Sequence, residues 1–257
     1  LTFTTSPIWP SLATRSSRMT CIGLSLLHGV GQQGEEAGAL DRLRQLALVL
    51  RGNCGDAGRD DLAALADEHG FLVVDEAHAT GVWGAGGRGL AAHLEGRDNV
   101  VSLHTLGKAL GGSGAILCMA PALRDFMVNR ARPFVFATAP SPLVCAAAIE
   151  ALAMVEDEPW RRDALHARVG LFGHELAARL PHLPPSGSQI VPLIVGGAAE
   201  TMALAAALQA RGFDLRGIRP PTVPHGTSRL RLSLTLNASE GDIAALAQAL
   251  EELWPAS

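Results

Sequence analysis

From about residue 60 onward the chain alternates stretches of helical spacing with short, continuous apolar runs, and this alternation narrows the possible folds more than any other feature. Residues 61–69 set Leu62, Leu65 and Ala66 at helical spacing and stop at Gly70, a normal helix end. Residues 71–74 (FLVV) are apolar throughout and run into Asp75, which reads as a buried strand closed by an acid. Residues 100–103 and 115–119 repeat the short apolar pattern, with a glycine-rich segment between them. Residues 121–130 and 143–180 are mostly helical in spacing. Helices alternating with buried strands imply an α/β layer with a largely parallel sheet.

After Pro181 the texture changes. Residues 184–187 (PPSG) form a loop, 189–195 a strand, and 201–211 a helix closed by Gly212. Residues 229–236 read RLRLSLTL, an alternation that places four leucines on one face of a strand. Ser239 and Asp242 have capping-box spacing ahead of a last helix that reaches Trp254. A chain of 257 residues can hold one or two domains. The expected division is 58–160 for the α/β layer and 161–257 for a smaller C-terminal α+β domain that includes the connecting helix. Residues 1–57 stay unassigned. They hold no acid before Glu35, and Arg15 and Arg18 ahead of 21–27 resemble a targeting segment only faintly, without a cleavage site.

Composition removes several function classes. Hydrophobic residues make up 48% and charged residues 18%, the balance of an ordinary folded protein. The net charge of −4 contains no basic run, so no nucleic-acid partner is expected. No apolar run has the length of a membrane span; the nearest, at 146–155, is interrupted by Glu150. Cys21, Cys54, Cys118 and Cys145 form no CxxC pair and read as thiols of a reducing, cytoplasmic compartment. His174-Glu175 lacks the second histidine of a zinc motif, and no metal site is expected. His104 and His225 read as loop histidines.

Among 21 basic residues there is a single lysine, Lys108. Arginine serves solubility equally well, but guanidinium cannot supply a deprotonated, nucleophilic amine. Drift in composition is the other reading, and the surroundings decide between them. Lys108 lies in TLGKALGGSG, directly after the apolar run at 100–103. Glycines there allow backbone to approach a ligand, although a flexible loop would look the same. The acid-rich DEAH of residues 75–78 also occurs in helicases, but those need an upstream phosphate loop, and the one Gly-Lys pair here lies downstream. Asp75 can be read as a merely exposed strand-end acid; against this, ligands of α/β sheets gather at the carboxyl ends of strands. An amine and a carboxylate ending adjacent strands suit pyridoxal 5'-phosphate (PLP), which needs an amine for a Schiff base and an acid at its ring nitrogen.

The segments VVDEAHATGVWGAGGRG, HTLGKALGGSGA, RARPFVFATAP and IRPPTVPHGTSRLRLSLT resemble the α-oxoamine synthases from about residue 60 to the end. These are fold-type I PLP enzymes that condense an amino acid with an acyl-CoA and release carbon dioxide. The resemblance implies that residues 58–160 are part of the PLP-binding large domain and that the protein is a homodimer. It makes Lys108 the Schiff-base lysine, Thr105 the TxxK threonine beside the cofactor, Asp75 the partner of the ring nitrogen, and His78 the histidine beside the phenolic oxygen. Thr222 and Arg231 correspond to residues that meet the substrate, Arg231 as the carboxylate anchor, with Arg219 a second anchor. Thr138 corresponds to a contact with the phosphate bound in a partner subunit.

Within the family, DEAHATG and IRPPTVP are most similar to the members that join L-alanine to a pimeloyl thioester in biotin synthesis. The alternatives are a sister synthase that takes glycine with acetyl- or succinyl-CoA, and an inactive fragment that serves folding or pairing. The family's N-terminal part carries a ring-stacking residue and a glycine nest for the phosphate, neither of which is recognisable before residue 58. Its serine-containing SMDGD loop reads Gly52-Asn53-Cys54-Gly55-Asp56 here. Weak PLP retention is the expectation for a chain so altered.

Overall fold

The computed structural model describes residues 20–24, 47–51, 67 and 71–255, and the chain divides after Pro159 into two compact units. The first holds a five-stranded sheet built from β1 (Thr20–Leu24), β2 (Ala47–Arg51), β3 (Phe71–Asp75), β4 (Val100–Thr105) and β5 (Ala115–Met119), in the order β1-β5-β4-β3-β2. Pairing is parallel for β2 with β3 and β3 with β4, and antiparallel on both sides of β5. Four of these five strands therefore share a direction, and β5 opposes them. The expected helix at 61–69 lies outside the described residues except for Asp67, which is helical.

Strand register sorts the side chains of β3 and β4 onto two faces. Leu72 pairs with Val100 and Val74 with Ser102, while Asp75 pairs with Leu103 on the other face. Leu72, Val74 and Val100 form a buried cluster with Ala91 and Leu94, which belong to the turns after β3. On the opposite face Val101 and Leu103 pack with Leu117 and Met119 of β5, covered by Leu123 and Met127 of α1 (Pro121–Arg130) and Phe134 of α2 (Arg132–Val135). Proline starts α1 at a position where its missing N–H costs nothing. α3 (Pro142–Asp157) begins the same way, with Ser141 accepting from Leu143 N as its cap, and lays Leu152 against Leu106 and Leu110.

The helical stretch expected at 143–180 is two helices. α3 ends at Asp157, and α4 (Trp160–Arg179) starts after Pro159, a residue that cannot continue a helix and restricts the one before it. In the second unit a three-stranded antiparallel sheet has β8 (Ser228–Ser233) between β6 (Ile190–Gly196) and β7 (Arg216–Ile218). Its buried face carries Val191 and Leu193 from β6 and Leu230 and Leu232 from β8. These pack with Phe172 and Leu176 of α4, Leu204 and Leu208 of α5 (Ala198–Ala210), and Ile243 and Leu250 of α6 (Glu240–Leu253). Each such leucine contributes about 1.5–3 kcal/mol by leaving water.

The capping box forms as the spacing predicts: Ser239 Oγ accepts from Asp242 N, and Asp242 Oδ2 accepts from Ser239 N at 2.8 Å. The strand expected at 229–236 stops at Ser233, where its pairing with Ile190 at the start of β6 runs out. Leu234 stays buried beyond the strand, while Leu236 is half-buried.

Candidate active site

β3 and β4 run parallel, so their carboxyl ends lie at one edge of the sheet, and the chain turns there twice. After β3, Asp75 Oδ1 accepts from Ala77 N at 2.9 Å, which folds the chain back directly behind the strand. The N–H groups of Ala79 and Thr80 both bond the Glu76 carbonyl, closing a single helical turn that carries His78 on its half-buried side. A loop rich in glycine then wraps residues 81–89 over Glu76. Gly84 and Gly89 are in positive-φ conformations, and a Cβ on Gly89 would lie 2.7 Å from the Glu76 carboxyl carbon. Glu76 itself is buried, with Oε1 accepting from Ala91 N.

After β4 the chain makes a hairpin into β5. Leu106 bonds the Gly114 carbonyl with its N–H and accepts from Gly112 N with its own carbonyl. At its tip Gly111 N donates to the Lys108 carbonyl at 3.0 Å, with Gly111 at φ +62. Leu106 and Leu110 point inward, which leaves Gly107, Lys108 and Ala109 exposed. Lys108 Nζ lies 3.2 Å from His78 Nε2.

The structure thus brings Lys108 and His78, separated by 30 positions, into contact. Asp75 and Thr105 sit on one face of the adjoining strand ends, with Thr105 Oγ1 3.5 Å from the Ala77 carbonyl. An exposed amine, an imidazole in reach of it, and a carboxylate and a hydroxyl beside them are the donor set that a pyridine aldehyde requires. A carboxylate can accept more than the one internal bond that Asp75 makes among the described residues. The residues present therefore fit PLP.

The expected substrate-binding residues Arg219, Thr222 and Arg231 belong to the second unit. Arg219 directly follows β7, and its carbonyl accepts from Thr222 N at 3.1 Å; both side chains are exposed. Arg231 is exposed on the outer face of β8, opposite Pro192 and Arg216, in an open groove lined also by Asp214, Ile218 and Ser233. Arg216 forms an ion pair with Asp214 at 3.0 Å. Thr138, in the first unit, precedes α3 and is exposed. The ring-stacking residue and glycine nest concern residues 1–57, of which only 20–24 and 47–51 are described.

His104 corrects an expectation. It does not lie in a loop but in β4, buried, with Nδ1 2.9 Å from Thr80 Oγ1 and Nε2 2.9 Å from Ser102 Oγ. The signal was present in β4 as Val100-Val101-Ser102-Leu103-His104, where two polar residues share the face of Val100. A polar group on the inner face of a strand needs a partner, and the partner is Thr80. Glu76 was overlooked in the same way beside the more conspicuous Asp75.

Known proteins resemble the chain in sequence and in fold. The chain is 48% identical over 202 residues to 8-amino-7-oxononanoate synthase of Anaeromyxobacter dehalogenans, covering 76% of this chain and 51% of that protein. It is 45% identical over 189 residues to the synthase of the same name from Geobacter metallireducens, covering 72% and 48%. The chain therefore spans about half the length of the curated relatives it matches. Among solved structures, 8-amino-7-oxononanoate synthase from Francisella tularensis superposes with a TM-score of 0.70 at 25% identity, covering 83% of this chain and 65% of that one. An SPT structure with PLP superposes with a TM-score of 0.71 at 23% identity, covering 83% and 58%, and shares the fold. Residues 56–250 match the family described as aminotransferase class I and II, and the chain belongs to that family, with the fold of the type I PLP-dependent transferases.

Proposed function

We propose that this protein condenses L-alanine with a pimeloyl thioester, losing carbon dioxide, to give 8-amino-7-oxononanoate for biotin synthesis. The observation that carries this reading is the Lys108–His78 contact at the carboxyl edge of β3 and β4, beside Asp75. The relatives named for this reaction, at up to 48% identity, support the choice of substrates. PLP bound here would supply an electron sink for charge developing at the amino acid's α-carbon.

Lys108 would hold the cofactor through Nζ, and its amine, when free of it, would take the amino acid's α-proton. Asp75 would keep a proton at the ring nitrogen by charge and hydrogen bonding. His78, in reach of Nζ, would orient the lysine and serve the cofactor's phenolic oxygen, and Thr105 would add a hydroxyl to its surroundings. Arg231 binds the amino acid carboxylate, with Arg219 and Thr222 completing the substrate's contacts. A second copy of the chain completes the assembly as a homodimer. Among the described residues no helix is long and apolar enough to cross a membrane.

The test is a substrate panel with PLP added. Turnover of L-alanine with pimeloyl-CoA, exceeding glycine with acetyl- or succinyl-CoA, is the expected result. Preference for glycine would assign the sister reaction. Firm PLP binding without turnover of any pair would favour the inactive pairing module.

A further inference from the structure

We propose that His104 is a positioning residue that sets the spacing of His78 and Lys108 through a buried hydrogen-bond chain running from β4 to the turn after β3. This rests on the reading of Lys108 and His78 as the cofactor site. The chain's directions follow from donor counting. The single hydroxyl hydrogen of Thr80 donates to the Glu76 carbonyl at 2.8 Å, so its oxygen must accept from His104, and Nδ1 carries the hydrogen. Nε2 meets Ser102 Oγ on the same strand face. Thr80, Ser102 and His104 are all buried, so each bond is shielded from competing water.

The consequence lies in what the bond connects. Thr80 closes the helical turn on Glu76 that presents His78 two residues earlier. His104 is four residues before Lys108 on the strand that leads into the hairpin, and that hairpin is fixed by its own backbone bonds. The His104–Thr80 bond therefore ties the turn bearing His78 to the strand bearing Lys108. The Thr105–Ala77 contact on the opposite face is longer, at 3.5 Å, and holds the two segments less firmly.

The donor assignment also selects the substitution that preserves the tie. Asparagine places its amide nitrogen where Nδ1 sits and can still donate to Thr80, whereas leucine fills the volume and donates nothing. Because Lys108 is the sole lysine, a chain grown on lysine labelled with carbon-13 at Cε gives one lysine signal, and that signal reports the surroundings of Nζ without cofactor.

In the cofactor-free 257-residue chain, His78→Ala should move this signal, His104→Leu should move it in the same direction, and His104→Asn should leave it in place. Thr80→Val, close in shape to the parent residue, should behave as His104→Leu and serves where the leucine variant does not fold. A parental signal in Thr80→Val or His104→Leu, or no response to His78→Ala, overturns the proposal. PLP titration of the same variants should show affinity about tenfold weaker for His104→Leu and near parental for His104→Asn. Parental affinity in a folded His104→Leu overturns it as well. A parent chain that takes up no PLP, while the lysine signal responds as described, refutes the cofactor reading and leaves the positioning role standing.

Discussion

Replacing Gly84 by alanine should damage the active-site edge far more than the same change two residues away at Gly86. Both glycines lie in the loop that wraps over Glu76, and both have positive φ: Gly84 at φ 78, ψ 176 and Gly86 at φ 65, ψ 18. Gly86 is in the left-handed region, with nothing within 4 Å of an added Cβ, so its substitution carries only the conformational penalty of about 1 kcal/mol. Gly84 occupies a region essentially reserved for glycine, and its Cβ would lie 1.8 Å from the carbonyl oxygen of Gly89. That oxygen is backbone, and the same residue's N–H bonds the Trp83 carbonyl, so relief requires moving the loop itself. Strain and overpacking together come to about 3–4 kcal/mol. At about 3 °C per kcal/mol for a chain of this size, calorimetry should show a fall of about 3 °C for Gly86→Ala and about 10 °C for Gly84→Ala. PLP uptake should fall only in the latter, because the displaced loop uncovers Glu76 and loosens the turn bearing His78. Equal melting temperatures for the two variants would show that the Gly89 carbonyl does not bar a side chain at position 84.

Asp75→Asn should leave PLP attached to Lys108 but slow deuterium exchange at the α-carbon of L-alanine about a hundredfold or more, since the ring nitrogen loses its anionic partner. Exchange at the parental rate would remove Asp75 from the mechanism. In the second unit Leu230, fully buried at the centre of its core, should cost about 2–5 kcal/mol on truncation to alanine, measured by urea unfolding. The Ser239 hydroxyl first, and then the Ser239 backbone N–H, hold the Asp242 carboxyl below its ordinary value. A depressed folded value gives stability that is present above the ordinary carboxylate range and lost as pH falls through the lowered one. Acid titration should therefore loosen the first turn of α6 in that window, and Asp242→Asn should abolish this dependence.

The sequence carried the strands that build the site because short apolar runs ending in charged or glycine-rich segments have few other uses. Residues 71–75 and 115–119 form strands at those bounds. The apolar run that marks β4 ends at Leu103 because His104 and Thr105 are polar, yet pairing with Ile116 and Ala115 continues the ladder through both. The shortened β8 shows the converse: its leucine alternation persists to Leu236, but a strand lasts only as long as its neighbours do. Alternation reports which face is buried, not where a partner ends. The Lys108–His78 contact joins residues 30 apart, and only the parallel register of β3 with β4 brings their two turns to one edge. The His104–Thr80 tie was concealed for a related reason, since its two halves lie on different elements and neither is unusual alone.

Borohydride reduction shows whether Lys108 is the residue that holds PLP. The chain is mixed with PLP, reduced, digested and mapped by mass spectrometry. The only reactive primary amines are Lys108 and the chain's α-amino group, so the outcome has a clear readout. Stoichiometric label is expected on the peptide containing TLGKALGG, lost in Lys108→Arg, with little at the N-terminus. Label confined to the N-terminal amine would contradict it.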